Sequence, residues 1–237
     1  MSGILQVHDL NKTFTMHLFD QKKITGCQNV NFTVQDGEFV GITGKSGAGK
    51  STILKCIYRT YIPVTGGMVF QSKQFGKIDL AKASERNITF IRQWEIGYVS
   101  QFLDVLPRMT ALDVVAEALV EMGCSKEKSV DDAKTMLKHF QIAENLWDAY
   151  PKTFSGGEKL RLNLAKAMIK RPRVLLLDEP TASLDNQSKG PVKEMIIELK
   201  RTGTSMVGIF HDLEFMQDVV DTSYNMDQGY LKEGNVA

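Results

Sequence analysis

The chain is poor in cysteine, proline and tryptophan, with three, six and two among 237 residues. Cys27, Cys56 and Cys124 lie far apart and form no C-x-x-C pair. That spacing excludes a disulfide framework and a cysteine-built zinc site, and points to a reducing compartment, the cytoplasm. Neither sign of charge dominates: 29 Lys plus Arg stand against 28 Asp plus Glu, a net +1. Bulk electrostatics therefore recruit neither a nucleic acid nor an anionic membrane surface, and no nucleic-acid partner is expected. The start, MSGILQVHDL, lacks a basic stretch followed by an apolar one, and the apolar runs are too short to span a bilayer. No direct membrane span is expected; if the protein works at a membrane, another chain brings it there. Internal repeats and low-complexity tracts are also missing.

What is present is 43% hydrophobic residues, enough for a substantial core in one large domain or one domain carrying an inserted subdomain. ILQVHDL, VNFTV and MVF are short β-rich runs separated by Asp-Gly and Gly-Gly, which predicts hairpin strands of an antiparallel flank. FVGIT (39–43), VLLL (174–177) and MVGIF (206–210) are almost continuously apolar, the pattern of strands buried on both faces of a parallel sheet; IGYVS (96–100) is a weaker fourth. From about 102 to 160 the pattern becomes helical, with Thr110 and Ser129 placed as N-caps of TALDVVAEALVEM and SVDDAKTMLKHF. The tail predicts a small hairpin turning at Asp227 to Gly229.

The residues after the buried runs carry the chemistry, because ligands of open α/β sheets bind outside the carboxyl ends of the strands. FVGIT leads into GKSGAGKS, that is Gly44, Lys45, Ser46, Gly47, Ala48, Gly49, Lys50 and Ser51, with Thr52 next. This fills G-x-x-x-x-G-K-[ST], whose glycines let the backbone close on phosphates while the lysine reaches the β and γ phosphates and the serine hydroxyl meets Mg²⁺. IGYVS leads into Gln101, VLLL into Asp178 and Glu179, and MVGIF into His211. Asp178 is placed to support Mg²⁺ and Glu179, one residue further out, to act as a base on water. Phe14 can stack on a purine or serve as a core aromatic.

A second anion site stands at FSGGE, where Ser155, Gly156 and Gly157 open another helix. Either Ser155 merely caps that helix, or the site clamps the γ phosphate from the opposite side. In the second case the missing half comes from another copy, and a symmetric dimer buries two nucleotides.

The ordered set GKSGAGKS, Gln101, FSGGE, LLLDEPTASLD and His211 resembles the ATP-binding cassette (ABC) ATPase family over nearly the whole chain. The resemblance implies an α/β P-loop NTPase fold, a single domain over 1–237 with a mainly parallel core, an antiparallel β flank and a helical signature subdomain near 102–160. It implies ATP and Mg²⁺ as cofactors and a head-to-tail homodimer with ATP between the phosphate loop of one copy and FSGGE of the other. Gln101 would join the metal and the attacking water, His211 would steady the γ phosphate, and Ser183 to Asp185 would line the dimer seam. FSGGE departs from the commoner LSGGQ at Phe154 and Glu158, and Phe14 stands where a tyrosine is more frequent.

Within the family, GYVSQFLDVLPRMTALDVV, TFSGGEKLRLNLA, LLLDEPTASLD and VGIFHD are similar to the ATPase-like L component of the bacterial phosphonate carbon-phosphorus lyase system, as is the charged segment 70–92. That group implies carbon-phosphorus lyase subunits and a related ABC ATPase as partners, and an association with ribose 1-methylphosphonate 5-triphosphate synthesis. Two alternatives stand beside it: the nucleotide-binding subunit of a lipoprotein-release type transporter, and a non-hydrolytic, ATP-gated assembly module.

Overall fold

A computed structural model describes residues 3–16, 22–100, 108–182, 184 and 186–234. The N-terminal flank comes first along the chain: β1 (Leu5–Met16) pairs antiparallel with β2 (Lys22–Val34) on one side and β4 (Thr65–Ser72) on the other, with β5 (Gly76–Asp79) beyond β4. The sheet order is β2-β1-β4-β5, and its pairs are antiparallel, as the β-rich runs predicted.

The apolar runs build the second sheet. β3 (Phe39–Gly44), β6 (Ile96–Val99), β7 (Val174–Asp178), β8 (Ser205–Ile209) and β9 (Thr222–Asp227) lie parallel, and β10 (Tyr230–Gly234) closes the edge as an antiparallel hairpin with β9. The order is β10-β9-β3-β8-β7-β6. Every residue of β7 and β8 is buried, which is why their sequences carry no polar alternation.

Alternate residues nevertheless point to different layers. Val174 and Leu176 join a core with Val40, Ile42, Val207, Ile209 and the antiparallel flank, packed on α1 (Lys50–Ile57) and α2 (Glu85–Trp94). Leu175 and Leu177 face the other way, into a core with α3 (Ala111–Val120), α4 (Lys126–His139), α5 (Gly156–Met168), α6 (Asn186–Arg201) and α7 (Leu213–Gln217). Each fully buried leucine of β7 contributes roughly 1.5–3 kcal/mol, so Asp178 at the strand's end rides on a firmly seated element.

The N-cap reading holds at Thr110, whose hydroxyl accepts from Asp113 N–H in a reciprocal capping box. It fails at Ser129. Helix α4 starts one turn earlier behind Ser125, and Ser129 is fully buried inside it with its hydroxyl donating to the Ser125 carbonyl at 2.8 Å. KEK continues the helix N-terminally because long unbranched side chains cost a helix little, and a mid-helix serine can satisfy its hydroxyl on the preceding turn.

Among the described residues no helix is long and apolar enough to cross a membrane. The three cysteines are free, and burial pushes the thiols of Cys27 and Cys56 up to about 11 and about 12, which leaves them unreactive.

Candidate functional site

Strand β3 ends at Gly44, and the chain turns through Gly47 and Gly49 before α1 begins. Gly44 and Gly49 have φ of +136° and +105°, and a Cβ at Gly49 would lie 1.7 Å from the Gly26 carbonyl oxygen. Only glycine fits that approach. The loop is held from outside by the tail hairpin: Gly229 N–H donates to the Ala48 carbonyl, and Gln28 N–H donates to the Gly229 carbonyl. Helix α1 has no side-chain cap and no acidic residue in its first turn, whereas α2, α3 and α5 have both. Its N-terminal N–H groups and positive dipole end are therefore left for an anion.

Lys50 is buried, and its Nζ donates to the Gly44 and Lys45 carbonyls at 2.7 and 3.0 Å. Burial pushes its ammonium below the usual lysine range, while the carboxylates of Glu179 and Asp178 act in the opposite direction. Lys45, Ser46 and Gly47 form the exposed rim, and Thr52 continues α1 with its N–H on the Gly49 carbonyl at 3.0 Å.

Asp178 is reached from two sides. Its Oδ1 accepts from Ser51 Oγ at 2.9 Å and its Oδ2 from the Tyr98 hydroxyl at 2.6 Å. A hydroxyl and a carboxylate in contact at the mouth of a phosphate loop are hard oxygen donors that suit Mg²⁺, which takes few protein ligands and completes its shell with phosphate and water. No group of three or more metal-ligating His, Cys, Asp or Glu side chains exists among the described residues, so the donor set fits a metal that arrives with phosphate rather than a resident all-protein cage.

Glu179 adopts φ +56°, a conformation rare for a side-chain-bearing residue, and its Oε1 lies 2.8 Å from His211 Nε2. The ends of β3, β7 and β8 thus bring together the loop, both carboxylates and the imidazole. Gln101, Ser183 and Asp185 lie outside the described residues. Ser100, just before Gln101, is tied to α5 by Asn163 Nδ2 on its carbonyl at 3.1 Å.

Phe14 sits beside the phosphate-loop helix, half-buried rather than in either core. A Cβ at Gly26 would meet both the Phe14 ring and the Thr52 methyl, and Phe14 meets Tyr61 edge-on at 5.0 Å. Lys12 Nζ stands 5.1 Å from the Phe14 ring centroid.

Ser155 caps α5, and Glu158 explains its own place in FSGGE. The Glu158 carboxylate accepts from Ser155 N–H and Oγ, each at 2.8 Å, while Ser155 Oγ accepts from Glu158 N–H at 3.3 Å. The Ser155 N–H, then its hydroxyl, hold the Glu158 carboxyl below the usual carboxylate range. Phe154 is buried and anchors the turn, whereas Ser155 is exposed. Helices α1 and α5 pack into different cores on opposite faces of the sheet, so their N-termini belong to separate layers.

Sequence reasoning missed Tyr98. Its signal was an aromatic hydroxyl in the strand leading to Gln101, on the face of the sheet that carries Leu176 and Asp178.

A phosphate loop at the end of a parallel strand, with a serine meeting a strand-end aspartate, defines the class as a P-loop NTPase. Residues 27–182 match the ABC transporter family, and the chain belongs to that family. It is 31% identical over 231 residues, 97% of its own length, to the methionine import ATP-binding protein MetN of Haemophilus influenzae strain 86-028NP, and spans 64% of that protein. Identity is also 31% over 231 residues to the arginine transport ATP-binding protein ArtM of Bacillus subtilis strain 168, of which 90% is covered. Among solved structures, the dimeric post-hydrolysis state of the ATP-binding cassette MJ0796 bound to ADP and Pi superposes with a TM-score of 0.88 at 27% identity, covering 98% of this chain and 99% of that one.

Proposed function

We propose that the protein is a Mg²⁺-dependent ATPase whose two copies close head-to-tail over ATP and drive a partner assembly. The observation that carries this reading is the contact of Ser51 with Asp178 beside the Glu179–His211 pair at the mouth of one phosphate loop. Residues 44–52 cradle the phosphates through backbone N–H groups, with Lys50 turned from its loop carbonyls to the β and γ phosphates. Ser51, Asp178 and Gln101 hold the metal, which supplies charge neutralisation on the phosphates. Glu179 orients water and takes its proton, and His211 fixes the Glu179 carboxylate and reaches the γ phosphate. Ser155, Gly156 and Gly157 of the second copy, with Asp185 at the seam, complete the site, and Phe14 stacks on the base. In this reading 1–237 is one cassette domain, and the helical segment near 102–160 carries the signature.

The partner we propose is the phosphonate carbon-phosphorus lyase system in the cytoplasm, with this chain in the role of its ATPase-like L component. The support is the likeness of GYVSQFLDVLPRMTALDVV, TFSGGEKLRLNLA, LLLDEPTASLD and VGIFHD to that group. Dimer closure, rather than direct chemistry at a ribose carbon, is the contribution to ribose 1-methylphosphonate 5-triphosphate formation. A second reading, the ATPase of an amino-acid importer, is favoured by the names of the relatives given above.

Affinity purification from native cells with and without ATP, using Glu179→Gln to hold the closed dimer, separates the two. Recovery of lyase subunits from the soluble fraction supports the first reading, and recovery of a membrane permease replaces it with the second. Absence of ATP hydrolysis by the purified, partner-loaded protein would overturn both in favour of an ATP-gated assembly module.

A further inference from the structure

The Asp178 carboxylate has two oxygens, and both are engaged from within the chain. Ser51 on α1 takes Oδ1, as a phosphate-loop serine beside a metal carboxylate should. The 2.6 Å contact of the Tyr98 hydroxyl on Oδ2 is a separate device, because Tyr98 comes from a different strand and meets no phosphate-loop residue in that bond.

Tyr98 is itself held in place. Its register partner is Leu176, two residues before Asp178, so strand alternation puts the phenol and the carboxylate on one face of the sheet. Its ring packs on Tyr58 at 5.0 Å between centroids. Tyr58 is pinned in turn by Arg92, whose Nε donates to the Tyr58 carbonyl at 2.7 Å and whose guanidinium lies 4.9 Å from the ring centroid. Tyr58, Arg92 and Tyr98 all line a cavity of about 230 Å³.

A carboxylate that binds a metal through one oxygen can still rotate about its last bond. A fixed donor on the second oxygen removes that freedom, and such outer partners govern metal affinity in other sites. We infer that Tyr98 is a positioning residue for the metal carboxylate, its hydroxyl holding Oδ2 of Asp178 so that Oδ1 stays turned toward Ser51 and the metal. The inference rests on the Mg²⁺-dependent ATPase reading.

Tyr98→Phe removes the hydroxyl and keeps the ring packing on Tyr58. Mn²⁺ binding, followed by electron paramagnetic resonance with a non-hydrolysable ATP analogue present, should weaken about 10-fold, the low end for loss of an outer-sphere partner. Binding of a fluorescent ATP analogue in EDTA should stay within about twofold of wild type, since the phosphate loop is untouched. Hydrolysis should need more Mg²⁺ and return toward the wild-type maximum when the metal saturates. Unchanged Mn²⁺ affinity, or an equal loss of nucleotide binding in EDTA, overturns the role of Tyr98. Wild-type protein that takes up no Mn²⁺ with nucleotide overturns the ATPase reading beneath it, a result distinct from a failure of the variant alone.

Discussion

His211 Nε2 and Glu179 Oε1 lie 2.8 Å apart, although 32 positions separate them in the chain. The imidazole leaves the end of β8 and the carboxylate follows the end of β7, two neighbouring parallel strands whose register pairs Asp178 with Ile209. A carboxylate steadied by an imidazole has a defined direction in which to accept a proton from water. Replacing Glu179 with Gln should spare ATP binding and slow hydrolysis about 10²- to 10⁴-fold, the range for loss of a general base. His211→Ala should give a smaller loss of the same kind. Steady-state phosphate release beside equilibrium nucleotide binding tests both, and a Glu179→Gln protein hydrolysing at the parental rate would remove Glu179 from the mechanism.

Gly47 and Gly49 make a matched pair of probes in one loop. Both have positive φ, but a Cβ at Gly47 meets nothing within 4 Å, whereas one at Gly49 meets the Gly26 carbonyl and Met226. Gly47→Ala should cost roughly 1–2 kcal/mol of left-handed strain and keep ATP binding. Gly49→Ala should be more destabilised and lose ATP binding, because the loop must move off β2. Thermal melting and nucleotide titration of the two variants check the contrast.

The Ser155–Glu158 capping box separates structure from function at the signature. Ser155→Ala should lose about 0.5–2 kcal/mol as a cap and, beyond that, fail in ATP-driven dimerisation measured by light scattering in the Glu179→Gln background. Normal dimerisation would leave Ser155 as a cap alone. Glu158 has a depressed folded-state pKa, so its contribution is present above the unfolded value of about 4.3 and fades as pH falls through the lower folded value. The melting difference between wild type and Glu158→Ala should therefore shrink in acid.

Lys50 gives a slope of the same sign at the alkaline end. Its pKa is lowered in the folded protein, so the penalty for holding it charged is full below the folded value and is relieved as pH rises toward the unfolded value of about 10.4. The stability of wild type relative to Lys50→Met should rise as pH climbs from the lowered folded value toward the unfolded value of about 10.4. The same variant should bind ATP weakly at every pH, and a flat stability difference would mean that Lys50 is better solvated than its burial shows.

Local chemistry alone determined a good part of this protein. The apolar runs at 39–43, 174–177 and 206–210 read as buried parallel strands, because four or five unbroken apolar residues are the length of a strand rather than of a helix. The glycines and lysine of the phosphate loop, and the serine before two glycines at 155–157, declare themselves because backbone geometry and capping depend on near neighbours. Helix starts are less secure: Ser125 and Ser129 both stand ahead of a helical pattern, and only the folded chain, which buries Ser129 inside α4, placed the start behind Ser125. Only the tertiary structure decided which oxygen of Asp178 faces which hydroxyl. The Tyr98 contact spans 80 positions and arises from sheet register, a property of strand order that no single stretch of sequence contains.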